Sequence, residues 1–130
     1  MEFQEIKSVI EKQLSSIPEV ISVYLLGSAK NGNMRIESDL DLGLLLYPKT
    51  EIDAKAIYSL QSTLGFETGI PADIGIVSSK DLIYSKEAIY FGERIFTRDK
   101  GLSESIETTL FSMYVDFSEQ IKEIKDAYRA

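Results

Sequence analysis

The segment from Asp39 to Leu46 alternates with a period of two. Asp39, Asp41 and Gly43 fall on one side, and Leu40, Leu42, Leu44 and Leu46 on the other. An extended strand separates these sets cleanly, because successive side chains point to opposite faces. One face then meets an apolar core while the other presents carboxylates, which are costly there unless solvated or liganded. Ala72 to Val77 repeats the pattern in shorter form: Asp73 and Gly75 share a face opposite Ile74 and Ile76. Two neighbouring strands of this kind place acids on one surface and aliphatic side chains on the other. Gly43, next to the acids on their face, is expected to leave space beside them.

The rest of the chain supplies the partners of such strands. Phe3, Ile6, Val9, Ile10 and Leu14 recur at helical spacing, which predicts a helix over 3–17 ended by Pro18. The β-branched and aromatic run VISVYLL predicts a buried strand over 20–26. A polar loop with Gly32 and two Asn follows, over 27–37. Thr50 is placed to cap a helix running to about Leu64 and stopping at Gly65. A short helical region follows Ser79 and reaches Phe91; Gly92 breaks it, and Arg94 to Thr97 reads as an edge strand. From Ser103 to Tyr128, Ile106, Leu110, Met113, Phe117, Ile121, Ile124 and Tyr128 make one stripe of a long amphipathic helix. That stripe is expected to serve the domain's own core, with docking of a partner as its alternative use.

Composition narrows the chemistry. A chain of 130 residues predicts one domain, 1–130. With no Cys and no His, disulfides, thiolate zinc and imidazole chemistry are excluded, and catalysis falls to carboxylates, hydroxyls, Lys and Arg. A metal site would be all-oxygen, which suits Mg²⁺ or Mn²⁺. The net charge of −7 argues against a polynucleotide substrate, whose phosphates must be neutralised. The acidic N-terminus lacks a signal-peptide pattern, and no apolar stretch approaches the ~20 residues of a membrane span, so a cytoplasmic location without membrane association is expected.

Gly27-Ser28 stands directly after the first strand, separated from Asp39 by ten residues. Glycine permits a tight turn and close backbone approach, and the Ser28 hydroxyl with nearby N–H groups suits phosphate oxygens. Gly-Ser, ten residues, Asp-x-Asp and a third acid on a later strand resembles the nucleotidyltransferase superfamily that includes DNA polymerase β. The stretch GSAKNGNMRIESDLDLGLLL is similar to the minimal nucleotidyltransferases, the MNT family, and the likeness runs from about Val20 to Val77. It implies an α/β (α+β) fold: a small mixed β-sheet with helices packed on one face and a long C-terminal helix. It also implies roles. Gly27 and Ser28 would hold the β- and γ-phosphates of ATP. Asp39 and Asp41 would ligate two Mg²⁺ ions, and Asp73 would ligate the catalytic ion and help deprotonate the attacking hydroxyl. Many members carry basic residues just after Gly-Ser; here the chain has Ala29-Lys30-Asn31, so Lys30 and Arg35 are the cations left to touch phosphate.

After the third strand the chain is largely one helix, with no room for a separate substrate domain. Stand-alone chains of this size resemble the antitoxins of HEPN–MNT toxin–antitoxin systems. The resemblance implies transfer of AMP from ATP to a tyrosine hydroxyl of a cognate HEPN-domain (HepT-like) ribonuclease toxin, in a hetero-oligomer. Two alternatives stand beside it: an antitoxin that neutralises by binding alone, and a small-molecule, aminoglycoside-type nucleotidyltransferase.

Overall fold

The computed structural model describes residues 1–27 and 39–129. In chain order these form α1 (Phe3–Ser15), β1 (Val20–Leu26), β2 (Leu40–Leu46), α2 (Ala54–Thr68), β3 (Ala72–Val77), α3 (Leu82–Phe91), β4 (Glu93–Thr97) and α4 (Lys100–Arg129). The strands make one mixed sheet in the order β3-β2-β1-β4. β1 runs antiparallel to both β2 and β4, while β2 and β3 are parallel. A parallel pair needs a crossover, and α2 supplies it. β1, hydrogen-bonded on both sides, is buried along its whole length, which is why its sequence is continuous VISVYLL rather than alternating.

Helices cover both faces of the sheet, which corrects the expectation of one face. On one side α1 (Ile6, Ile10, Leu14) and α2 (Leu60, Leu64) pack on Leu40, Leu42, Leu44 and Ile74. On the other, Ala88 of α3 and Leu110 of α4 pack on Tyr24, Leu26, Leu45 and Val77. The acid face of β2 is polar only at its start. Further along it carries Leu45, beside Val77 of β3, and that apolar surface needs its own cover.

Four helix boundaries differ from the pattern-based expectation. α1 stops at Ser15, capped by Ser16, before Pro18 is reached. Asp53, not Thr50, caps α2, its carboxylate accepting from the Ala56 N–H at 2.8 Å. α2 runs through Gly65 and ends where Gly69 adopts φ +74, its N–H reaching the Gly65 carbonyl at 2.9 Å. A left-handed terminus selects glycine there, whereas Gly65 is an ordinary helical residue. α4 begins at Lys100, with Asp99 accepting from the Leu102 N–H at 3.0 Å. Its first turns are tied to β1 through polar groups: Ser103 lies 2.6 Å from Ser22 Oγ, and Glu107 accepts from both the Tyr24 hydroxyl and Arg94. Among the described residues, no helix is long and apolar enough to cross a membrane.

Candidate active site

The sheet topology gathers the predicted acids at one end. β1 leaves the sheet where antiparallel β2 enters it, and β3 enters alongside β2. Leu26 pairs with Asp41, and Asp41 pairs with Asp73 across the parallel register. Residues paired this way sit on the same face of strands about 4.8 Å apart. Asp39 lies just before β2 and is exposed, as is Asp73, while Asp41 is half-buried. Gly27 follows β1 immediately with φ +74, and a Cβ there would meet nothing within 4 Å. The left-handed backbone, not crowding, is what calls for glycine at this turn. Ser28, Lys30 and Arg35 lie outside the described residues.

Among the described residues the negative charge of the cluster is uncompensated. Burial raises the Asp41 carboxyl above its ordinary range, and the negative charges of Asp73 and then Asp39 raise it further. Among the described residues no Lys or Arg forms an ion pair with any of the three acids. The donor set is therefore hard oxygen carrying excess negative charge, which fits a divalent cation such as Mg²⁺. As placed, the acids are neighbours on one surface rather than a closed nest: among the described residues no three Asp or Glu side chains are arranged to hold an ion.

Sequence reasoning missed Tyr84. This α3 side chain lies across β2 and β3 directly behind the acids. Its hydroxyl donates to the Leu42 carbonyl at 3.2 Å. A Cβ on Gly75 would stand 2.5 Å from the Tyr84 hydroxyl oxygen, and one on Gly43 would stand 3.3 Å from it. The space expected beside Gly43 is thus filled: the two glycines, paired with each other in register, make a slot for the tyrosine. Burial and then the charges of Asp41, Asp73 and Asp81 push the Tyr84 hydroxyl above its usual range, so it stays a neutral donor. The available signal was Asp-x-Gly occurring on both strands, two small residues where one large group crosses.

Solved structures share this fold. A chain of the crystal structure of a toxin–antitoxin with AMP-PNP is 22% identical, with 95% of this chain and 98% of that one covered, and a TM-score of 0.79. A chain of the structure of the tri-AMPylated Shewanella oneidensis HEPN toxin in complex with MNT antitoxin is 21% identical, covering 98% and 99%, at a TM-score of 0.78. A chain of the MntA–HepT toxin–antitoxin structure is likewise 21% identical over 98% and 99%, at 0.77. No curated protein matches the chain. In sequence, the family model described as Polymerase beta, Nucleotidyltransferase matches residues 4–101, from α1 through β4 and both acid-bearing strands. By that match, over most of its 130 residues, the chain belongs to the polymerase beta nucleotidyltransferase family.

Proposed function

We propose that this chain is the nucleotidyltransferase antitoxin of a toxin–antitoxin pair, and that it moves AMP from ATP onto a tyrosine hydroxyl of a HEPN-domain toxin. The observation that carries the reading is the in-register pair Asp41–Asp73 beside the left-handed turn at Gly27, at one end of one sheet face. The likeness to chains of toxin–antitoxin structures, one with AMP-PNP and one with an AMPylated toxin, supports it. In this reading Gly27 and Ser28 grip the β- and γ-phosphates, with Lys30 and Arg35 adding charge. Asp39, Asp41 and Asp73 would hold two Mg²⁺ ions, which supply charge neutralisation at the transferring phosphoryl group and make the acceptor hydroxyl more acidic. Asp73, exposed at the strand start, receives the hydroxyl proton. The tyrosyl oxygen forms a bond to the α-phosphorus as the bond to the bridging oxygen breaks, and pyrophosphate leaves. The half-buried Asp41 and the Tyr84 bond to the Leu42 carbonyl fix where the acids stand, so little reorganisation is left for the reaction step. The setting is cytoplasmic, where ATP and a ribonuclease toxin meet.

A second reading, neutralisation by binding alone, is favoured by one feature, the long exposed apolar part of α4. Growth rescue separates the two. The toxin is expressed with wild-type chain or with Asp39→Asn/Asp41→Asn, and label from the α-phosphate of ATP is followed into toxin and into an aminoglycoside. Loss of rescue and of toxin labelling in the variant supports transfer. Full rescue by an unlabelling variant supports binding alone. Label in the aminoglycoside and not in protein would sink both.

A further inference from the structure

The 30-residue α4 is about 45 Å long, roughly twice the span of a seven-residue strand. Its first half packs on the sheet, where Ser103 and Leu110 are buried, and after Leu110 none of its residues is buried. The apolar stripe nevertheless continues. Ile121 is 37% exposed, Ile124 53% and Tyr128 89%, all on the helical face that carries Leu110. The expectation that the stripe serves the domain's own core holds for Ile106 and Leu110 and fails for Ile121, Ile124 and Tyr128. Beside it a groove of about 500 Å³ is bounded by Ile83 of α3 and by Tyr114, Phe117 and Ile121 of α4. One flank carries Lys122, Lys125 and Arg129 against the single acid Asp126, in a chain whose net charge is −7. A basic-edged apolar groove on an acidic protein selects its occupant by charge as well as by surface.

We propose that this α3/α4 groove docks an amphipathic helix of the partner protein, one whose apolar stripe is flanked by carboxylates. A second copy of this chain fits less well. Two-fold pairing of antiparallel helices about Ile121 brings like flank to like flank, setting Lys122 against the copy's own Lys122. Ile83, which lines the groove, directly precedes Tyr84, whose ring crosses Gly43 and Gly75 on the acid-bearing strands, so α3 contributes to both places. The inference rests on the proposed action on a protein toxin and adds where that toxin is held.

The test is titration calorimetry of the full-length chain with the cognate HEPN toxin, alongside AMP transfer to the same toxin. Ile121→Ser and Lys125→Glu/Arg129→Glu alter exposed positions, and an unchanged Tm checks that they fold. Each is expected to weaken binding about tenfold or more, the charge variant also losing most of the salt dependence, while Asp41→Asn binds as wild type. Groove variants that bind like wild type overturn the docking site, even if AMP transfer is intact. So does a wild-type chain that forms no complex, or one that is a dimer alone and becomes monomeric with Ile121→Ser. If the groove variants lose binding but wild type transfers no AMP, docking stands and the transfer reading fails.

Discussion

On the α1/α2 side of β2, the side chains of Leu40, Leu42 and Leu44 have no solvent exposure and belong to one apolar cluster. On the other side of the same strand, Asp41 is half-buried against Asp73, raised above its ordinary ionisation range, with no cation paired to it among the described residues. The two faces alternate residue by residue: Leu40, Leu42 and Leu44 build one core, while the opposite face opens with Asp41 before Leu45 joins the second apolar cluster. Stability and chemistry are thereby separated across the thickness of one strand. The leucine face contributes burial free energy, whereas the burial of Asp41 beside Asp73 and Asp39 works against folding.

Substitutions on the two faces should accordingly fail in different ways. The largest effect is on chemistry: Asp41→Asn or Asp39→Asn is expected to lower AMP transfer by at least ~10³-fold, and chelation of divalent ions by EDTA to do the same, with the fold intact by circular dichroism. Leu42→Ala, one residue away and on the opposite face, should lower stability by about 2–5 kcal/mol in urea unfolding while leaving the rate per folded molecule near wild type. Gly75→Ala drives a methyl into the Tyr84 ring and should cost about 1–3 kcal/mol. A Tyr84→Leu background should relieve part of that cost, which a double-mutant cycle measures. Tyr84→Phe keeps the packing but removes the hydroxyl's hydrogen bond to the Leu42 carbonyl, and a loss of about 1 kcal/mol is expected. The smallest effect has the opposite sign. Because the folded state holds the Asp41 proton more tightly than the unfolded state, stability falls as pH rises from the ordinary carboxylate value through the raised one, and is level above it. Asp41→Asn removes that slope and gives a Tm at neutral pH no lower than wild type. A Tm drop in this variant would mean the acids stabilise the sheet and would erase the contrast between its faces.

Much of this was legible in the chain because the strands state their faces plainly. The period-two alternation of Asp39 to Leu46, and its echo at Asp73 and Gly75, placed the acids on one surface, and the register pairs Asp41 with Asp73. The edge strand at Arg94 to Thr97 was also readable, lying within β4 (Glu93–Thr97). What could not be read lies in α3 and α4. LIYSKEAIYF in α3 is apolar nearly all round, so periodicity does not say which side packs; the structure buries the small Ser85 and Ala88 and leaves Ile83, Tyr90 and Phe91 more than half exposed. The second helical layer was hidden for that reason, and Tyr84 with it. In α4 the stripe is continuous, but a one-dimensional pattern carries no record of where the sheet beneath it ends. The distal half looked like core and is surface.

The most direct test of a transfer site on one face of β2 and β3 is intact-mass spectrometry of the HEPN toxin after incubation with this protein, ATP and Mg²⁺. Asp41→Asn and Leu42→Ala would run beside wild type. The expected result is a gain of one or more AMP units with wild type and with folded Leu42→Ala, and none with Asp41→Asn. Equal AMP addition by Asp41→Asn, or no addition by wild type in a formed complex, would contradict it.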